Sequence, residues 1–514
     1  MLKKQSVSRA SLSLLAALSL GACTRINPVP YSAADLAARM PGDKASAQQD
    51  VEPIQGKLTL DQALARALKY NLDRRARMME EALAFRMVDA SHYDMLPKLL
   101  TQAGYSWRSN ERISESRNDE TGELSPSRFI SQEPEHSVAS LGVTWNLLDL
   151  GMGYYNTRQQ ADRFLIAGEK RRKAMHILMQ DVRTAFWRAS SAQKLEADVR
   201  AAQKLAEEAL ADSRRSEAEQ VRNPVNALRY QRQTLENLRL LEAIEQELST
   251  AKLELAAIIN APLGQDFELV EDGLGVSRDV LGVRAEAMEE IAMVSNADIR
   301  EQLYNGRIAR VETRKTLVRL FPNLSFNYGV SYDDDSYLVN QNWNEAGVQL
   351  SFNLFSLLSA PTQIKLADAG VTLADQRRLA TQMAVLAQVH VGRLQLANTL
   401  KQFERADAIW NTDRRIAEHM ANSEAAQTQS KLDTVANQTT AILSLLRRYQ
   451  ALALVQAAEA KLQATLGVEP AIGSVDETSL ADLSQQIHDS ASAWKNLGWA
   501  DPAAQRNTGT PGTP

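Results

Sequence analysis

Residues 296–332 read NADIREQLYNGRIARVETRKTLVRLFPNLSFNYGVSY and change at Pro322 from a helical pattern to a strand pattern. Proline disfavours helix in the residue before it and has no backbone N–H to donate, so a helix should end there. From residue 324 to residue 332 apolar residues alternate with polar or small ones. This alternation predicts a strand with one buried face.

The same arrangement occurs twice in the chain. An asparagine lies 26 residues before a proline in both halves, at Asn71 and at Asn296. Two further pairs of segments match: 145–149 (WNLLD) with 352–356 (FNLFS), and 225–260 with 432–467. The chain is therefore interpreted as an internal duplication, in which each copy needs the other to bury its apolar surface.

Each copy is predicted to contribute two strands. They span residues 99–108 and 139–147 in the first copy and 324–332 and 346–354 in the second. The segments between them, 110–135 and 333–345, are polar and are predicted to be solvated loops. The Asp333-Asp334-Asp335 triplet has two interpretations, a calcium site and an exposed charged loop. The exposed loop is favoured because the Gly and the distant Glu of an EF-hand loop are absent.

Long helices surround these strands in the sequence. Thr59 and Gln62 have capping-box spacing, which predicts a helix that begins there and continues to Met95. Residues 154–261 and 362–466 contain almost no Gly or Pro. At about 1.5 Å per residue, an uninterrupted helix of 65 to 70 residues would extend roughly 100 Å.

The N-terminus has the pattern of an export signal. Basic residues precede an apolar run over residues 10–20, and Leu20-Gly21-Ala22 places small residues before Cys23. The pattern resembles a bacterial lipoprotein signal, which implies cleavage before Cys23, lipidation of Cys23 and, because Thr24 follows, sorting to the outer membrane. Cys23 is the only cysteine, so no disulfide can form within one chain.

Composition argues against several classes of protein. The net charge of −5 gives no basic footprint for nucleic acid. The chain has no His-Glu-x-x-His motif, no paired cysteines and no glycine-rich phosphate loop, so neither an enzyme nor a cofactor or metal site is predicted. Its six histidines are interpreted as packed or solvated helix residues: His92, His136, His176, His390, His419 and His488.

The strands acquire a specific meaning beside an export signal. Their length of about ten residues suits a transmembrane strand. Four strands leave two open edges, and an open edge cannot lie in lipid, so several chains must share one barrel. Three copies would supply twelve strands, within the range of closed outer-membrane barrels. Aromatic girdles at the membrane interfaces are predicted from residues at or near strand ends: Tyr105, Trp107, Trp145, Tyr328 and Trp343.

The chain resembles a TolC-family outer-membrane efflux lipoprotein from residue 58 to residue 467. The resemblance rests on both Asn-to-Pro blocks, on the strand that ends WNLLDLG at residues 145–151, and on the two helical hairpins. It implies a homotrimer in the outer membrane of a Gram-negative bacterium, with a shared twelve-stranded barrel and a long periplasmic helical tunnel. It also implies docking on an inner-membrane pump through a periplasmic adaptor. The junction at residues 355–361 lacks the Asp-Gly-Gly type of turn common in the family.

The resemblance further implies that the hairpin tips close the tunnel and meet the adaptor. Asp433 matches a position at which acidic rings constrict the pore, and Ala436 stands where a second acidic residue can occur. Asp433 has a second interpretation of equal standing: it is simply an acidic residue in the first turn of a helix, where the helix dipole favours a negative charge. The predicted docking tip consists of Asn223, Pro224, Gln429, Ser430 and Lys431.

Two functions remain open at this point. One is a passive exit duct for efflux or type I secretion, and the other is a structural or adhesive periplasmic coiled-coil lipoprotein without a pore. The matched strands favour the duct, because a spacer has no use for them. The predicted organisation is a signal peptide (1–22), a lipidated extended segment (23–57), a first repeat (58–260), a linker (261–285), a second repeat (286–467) and a C-terminal periplasmic segment (468–514).

Overall fold

A computed structural model describes residues 30–218, 224–262, 264–271, 276, 278–425 and 431–496. The chain divides into two compact units, residues 1–52 and residues 53–514. In the first unit, helix α1 spans Ala33–Ala47 and begins with a capping box between Ser32 and Asp35. All other elements belong to the second unit.

The first half of the second unit runs from a short strand to a helical hairpin. Its elements are β1 (Lys57–Leu58), α2 (Leu60–Tyr70), α3 (Leu72–His92), β2 (Lys98–Trp107), β3 (Ile113–Arg117), β4 (Leu124–Ile130), β5 (Glu135–Asn146), α4 (Leu147–Ala218), α5 (Pro224–Ser249) and α6 (Ala251–Ile258). Helix α4 has 72 residues, which corresponds to about 108 Å.

The second half repeats this order. Its elements are β6 (Glu268–Leu269), α7 (Ala285–Ser295), α8 (Ala297–Val318), β7 (Asn323–Asp333), β8 (Asn342–Ser351), α9 (Leu354–Ala425), α10 (Lys431–Leu466) and α11 (Leu480–Lys495). Helix α9 also has 72 residues. The predicted fold class, long helices combined with a small antiparallel sheet, is confirmed.

In each half, the repeated asparagine connects the start of one helix to the end of another helix of the same half. Asn71 Oδ1 accepts from Arg74 N at 2.9 Å, and its Nδ2 donates to the carbonyl of Ile258 at 3.0 Å. Asn296 Oδ1 caps α8 in the same way, and its Nδ2 donates to the carbonyl of Thr465 at 2.8 Å. One side chain thus starts a helix and satisfies a carbonyl near the C-terminal end of another helix of its own half, α6 in the first half and α10 in the second.

The core lies where α4 crosses the helices of both halves. Its largest fully buried side chains come from several elements: Trp187, Phe186, Leu64, Leu241, Leu255, Met288 and Ile299. Helix α11 contributes Leu483, Ile487 and Trp494 to the same cluster. A smaller cluster closer to the hairpin tips contains Ala206, Leu210, Leu238 and Val435.

Two predictions about local structure were wrong. The helix predicted from residue 59 to Met95 is interrupted at Asn71, whose ψ of 127° is extended. The capping box that starts it is confirmed, since Gln62 N donates to Thr59 Oγ1 at 3.3 Å and Thr59 N to Gln62 Oε1 at 3.1 Å. The break follows because the Asn71 side chain caps the next helix instead of continuing the first.

The predicted loop 110–135 contains an antiparallel hairpin, β3 with β4. Asn118 Oδ1 accepts from Glu120 N at 2.9 Å and shapes the turn, and Gly122 adopts a φ of +68° there. Arg128 Nε bonds Glu115 Oε1 across the strands at 2.8 Å. Cross-strand charge pairing and turn chemistry hold this hairpin, whose side chains are mostly exposed.

Candidate functional site: the four-stranded sheet and the hairpin tips

Strands from both halves form one antiparallel sheet in the order β2-β5-β7-β8. The halves meet at the β5–β7 pair, where Trp145 lies opposite Phe326 and Leu141 opposite Val330. Opposite residues of an antiparallel pair point to the same side, and successive residues point to opposite sides. The register therefore assigns every side chain to one of two faces.

One face, here called the apolar face, is mostly hydrophobic and exposed in the single chain; its polar residues are Thr101, Glu135, Ser137, Asn342 and Asn344. Leu99, Val348 and Leu350 are 60–70% exposed on it. Its other large side chains are Tyr105, Trp107, Leu141, Val143, Trp145, Phe326, Tyr328, Val330 and Tyr332. Such a continuous exposed apolar surface indicates contact with lipid or with another chain.

The opposite face, here called the polar face, carries mostly small and polar side chains; Leu100, Val138 and Trp343 are its larger apolar residues. They include Gln102, Ser140, Thr144, Ser325, Asn327, Ser331 and Gln349. The strand glycines Gly104, Gly142, Gly329 and Gly347 also lie on this face. One apolar and one polar face is the pattern of a barrel strand between lipid and water.

The sheet has two open edges, because β2 and β8 each pair on one side only within the described residues. Their outward backbone N–H and C=O groups would remain unsatisfied in hydrocarbon. A strand with an open edge is a template for a strand of another chain. The geometry thus calls for a partner at each edge.

Four of the five predicted girdle residues lie on the apolar face. Trp145 sits near the helical end, while Tyr105 and Trp107 lie opposite Ser137 and Glu135 toward the far end. These partners are eight and ten residues from Trp145 along β5, about 27 and 34 Å at the strand rise of roughly 3.4 Å. A strand tilt of about 40° reduces these separations to roughly 20 and 26 Å, similar to the apolar band of a barrel.

Trp343 is a correction to the predicted girdle. It lies opposite Ser331, and this places it on the polar face. Counting back in steps of two from Ala346 leads to Asn344 and Asn342 and passes over Trp343. The alternation of β8 therefore already separates Trp343 from the apolar residues, whereas nearness to a strand end does not distinguish the two faces.

The loop triplet joins the two halves beyond the sheet. Asp333 Oδ1 bonds His136 Nδ1 at 2.8 Å, and Asp334 Oδ1 accepts from Ser137 N at 2.5 Å. Asp335 is buried and accepts from Glu133 N at 3.3 Å. These carboxylates act as acceptors that fasten the β7–β8 loop to the start of β5. In the described part of the chain no three His, Cys, Asp or Glu side chains are grouped as metal ligands.

The predicted tip residues lie in or next to the segments that the structure does not describe. Cys23, Asn223, Gln429 and Ser430 lie outside the described residues. Pro224 begins α5 and Lys431 begins α10. Asp433 is exposed in the first turn of α10. Both readings of Asp433, a pore charge and a favourable helix N-terminal charge, fit this position.

A buried polar cluster holds α11 against α4 and α10. Trp494 Nε1 donates to Glu459 Oε1 at 2.6 Å, and burial raises the pKa of Glu459. Arg183 and Trp187 line the same cavity of about 90 Å³. Burial lowers the pKa of Arg183, against the attraction of Glu459 and Asp61. The cluster joins elements of both halves and the C-terminal helix.

The histidines occupy separate parts of the structure. His390 pairs with Glu289 at 2.5 Å and His488 with Asp61 at 2.8 Å. His176 is buried within the helical region, and its pKa is lowered to about 4, chiefly by burial and then by Arg172 and Arg183.

None of the helices in the described residues is long and apolar enough to pass through a membrane.

The structure is similar to those of solved outer-membrane channels. The CmeC outer membrane channel of Campylobacter jejuni matches with a TM-score of 0.60 over 91% of this chain and 97% of that one, at 13% identity. The open state of the Neisseria gonorrhoeae MtrE outer membrane channel gives 0.57 over 79% and 88%, at 13% identity. The outer membrane protein VceC of Vibrio cholerae gives 0.55 over 79% and 96%, at 12% identity.

No protein-family model and no curated protein matches the sequence. The similarity therefore establishes the fold, which is that of outer-membrane channel proteins. More particularly, it is the TolC-like fold that the sequence resemblance predicted.

Proposed function

We propose that three copies of this chain form a passive duct through the outer membrane of a Gram-negative bacterium. Each copy supplies one four-stranded sheet to a shared twelve-stranded barrel. The helices extend the duct into the periplasm. The observation that carries the proposal is the sheet itself, with its apolar face, its polar face and its two open edges.

Closure by several copies satisfies both requirements of the sheet. Pairing β8 of one copy with β2 of the next would bond the open edges, and lipid would cover the apolar face. The polar face would then line water. Solved proteins of the same fold are described as outer-membrane channels, which supports the same role here.

The long helices support an exit duct in a tripartite system rather than a simple pore. Helices α4 and α9 have 72 residues each, so they reach far beyond the sheet. On this proposal the tips of the α4–α5 and α9–α10 hairpins meet a periplasmic adaptor, which links the duct to an inner-membrane pump. Efflux of small molecules and type I secretion of protein both suit such a duct, because the pump selects the cargo.

The gate is proposed at Asp433. A charge repeated three times around a narrow pore would attract cations and bind multivalent ones. Replacing Asp433 with Ala should raise resting conductance and weaken block by multivalent cations. Thr440→Ala, two turns farther along α10, is the matched control and should change neither quantity. Unchanged block in Asp433→Ala would assign the carboxylate to the helix N-terminus instead.

Docking is proposed at Asn223, Pro224, Gln429, Ser430 and Lys431. Substituting Lys431 or Asn223 should abolish export while trimers and conductance remain. Full export in every tip variant would place the adaptor contact elsewhere.

The lipid anchor is proposed at Cys23. Substituting Cys23→Ser should abolish lipid labelling and still allow trimers to form. Lipid labelling that persists in the variant would contradict the anchor.

Conductance tests the function as a whole. Purified full-length protein added to planar lipid bilayers should give discrete current steps of one uniform size. The alternative, a structural or adhesive coiled-coil lipoprotein, predicts no steps at any concentration. The sheet weighs against that alternative, since a coiled-coil spacer needs no exposed apolar strand face.

A further inference from the structure

The polar face carries one aromatic side chain with no evident structural duty. Trp343 is the only aromatic residue that the described register places there, and 40% of its surface is exposed. Every other aromatic side chain of the four strands lies on the apolar face. An interfacial role in lipid therefore does not account for Trp343.

Glu345 lies two residues farther along β8, on the same face as Trp343. Same-face neighbours on a strand are about 6.8 Å apart. The other ionisable groups of this face have partners: Lys98 Nζ bonds Asp149 at 3.0 Å, and His136 bonds Asp333 at 2.8 Å. Glu345 is exposed and forms no salt bridge with any described residue.

The space beside Glu345 is kept open by glycine. Gly329 lies directly opposite Glu345, and Gly142 lies opposite Gly329. A Cβ at Gly329 would meet its nearest atom, the Leu141 carbonyl, at 3.6 Å, an ordinary contact. Packing therefore does not demand glycine there, yet the residue directly opposite Glu345 carries no side chain.

We propose that Trp343 and Glu345 form a binding ring for organic cations inside the duct. The inference rests on the proposed function, because three copies around one barrel would place three of each side chain on the inner wall. The carboxylates would concentrate cations in the pore. The indole faces would add a cation–π attraction for quaternary ammonium ions, and stacking or apolar contact for a cation that also carries an aromatic or apolar part. The preferred ligand of the ring is thus an amphipathic organic cation.

Two ions separate the contributions of the two side chains. Benzyltrimethylammonium carries both a charge and an aromatic ring, whereas tetramethylammonium is a compact cation of the same charge. Full-length protein in planar bilayers should be blocked more strongly by the benzyl compound. The measured quantities are the blocking constant of each ion and the potassium-to-chloride permeability ratio.

Glu345→Gln removes the charge at nearly constant size. It should lower the permeability ratio and weaken block by both ions. Trp343→Leu should weaken block by benzyltrimethylammonium roughly two- to five-fold, the range of an exposed cation–π contact, and leave the permeability ratio unchanged. Trp343→Phe should restore part of the block. Tyr332→Leu, an aromatic substitution on the apolar face, should leave both quantities at native values.

Failure of this inference can be told from failure of the duct. The binding ring alone would be overturned if the native channel conducts and the Glu345→Gln and Trp343→Leu variants show the same block and the same selectivity as the native channel. A native protein that never conducts would overturn the proposed function and the ring with it. Loss of block in Tyr332→Leu equal to that in Trp343→Leu would also contradict the ring, since the two residues face opposite sides.

Discussion

Gly467 ends α10 in a backbone conformation that other residues avoid. Its φ is +69°, and a Cβ there would lie 2.2 Å from the carbonyl oxygen of Ser295. The matching position of the first half is Asn260, also at positive φ, 52°. Asparagine tolerates this region better than most residues. The chain can therefore turn at the same point in both halves, but only the second turn packs too tightly for a side chain.

Gly467→Ala should lower the free energy of unfolding by roughly 2–5 kcal/mol, from the left-handed backbone and the overpacking together. Gly370→Ala is the matched control, because no atom lies within 4 Å of its added Cβ and the residue is helical. It should be neutral or stabilising by up to about 1 kcal/mol. Denaturation followed by circular dichroism in detergent measures both, and equal midpoints would contradict the close approach at Ser295.

His176 makes the helical region sensitive to acid. Its pKa in the folded chain is about 4 against 6.5 for a free histidine, because the buried ring is held neutral. Above pH 6.5 the ring is neutral in both the folded and the unfolded chain, and the free energy of unfolding is not reduced. As the pH falls from 6.5 toward 4, the free energy of unfolding decreases, because the unfolded chain binds the proton more readily. The loss amounts to roughly 3 kcal/mol at pH 4.

His176→Leu should remove this component. The free energy of unfolding of the variant should fall less than that of the native protein between pH 7 and pH 4. Urea midpoints across this range give the comparison, with His419→Leu as the exposed control. A native protein and a His176→Leu variant that lose stability in parallel would show that the acid response arises elsewhere.

At the scale of elements, the two faces of the sheet make opposite demands on neighbouring residues. Leu141 lies on the apolar face of β5 and Ser140 on the polar face. A lysine at the bilayer midplane of a barrel's lipid face costs about 2–4 kcal/mol, whereas one facing water costs little.

Leu141→Lys should therefore impair membrane assembly strongly, and Ser140→Lys should allow it. The measurement is the fraction of protein recovered as folded oligomer from isolated outer membranes. Equal recovery of the two variants would show that the faces are not divided between lipid and water. Greater loss in Ser140→Lys would mean that the faces are assigned the wrong way round.

Much of this architecture could be predicted from the sequence, for identifiable reasons. The Asn-to-Pro spacing recurs because each asparagine caps a helix and holds the end of its own half. The four strands followed from alternation, since one face is apolar. The β3–β4 hairpin was missed because Arg128, Glu115 and the turn at Asn118 hold it, and such pairing leaves no apolar period in the sequence.

The candidate site was less accessible to sequence reasoning. Trp145 and Tyr105 lie near strand ends, but nearness to a strand end does not assign a face, and Trp343, which also lies near one, is on the polar face. Nor could spacing alone reveal that Glu345 lies opposite Gly329, and that Gly142 lies beyond Gly329 on the next strand. Contacts between distant segments decide such features, whereas caps and alternation are local.

At the scale of the whole molecule, duplication explains why one chain is incomplete. The two halves pair through β5 and β7 and leave β2 and β8 as the edges of one sheet. The core below the sheet is formed within the chain. Exposed in the single chain are the edges, the apolar face and apolar side chains of α9 such as Leu366 and Leu394, and other copies of the chain can satisfy the edges.

The proposed function depends on closure of one barrel by three copies of the chain. Native mass spectrometry of the full-length protein, extracted from membranes in mild detergent, tests it most directly. A barrel closed by three copies predicts a single species with three times the mass of one mature chain. A stable monomer that retains its strand content by circular dichroism, or an assembly of any other number of copies, would contradict it.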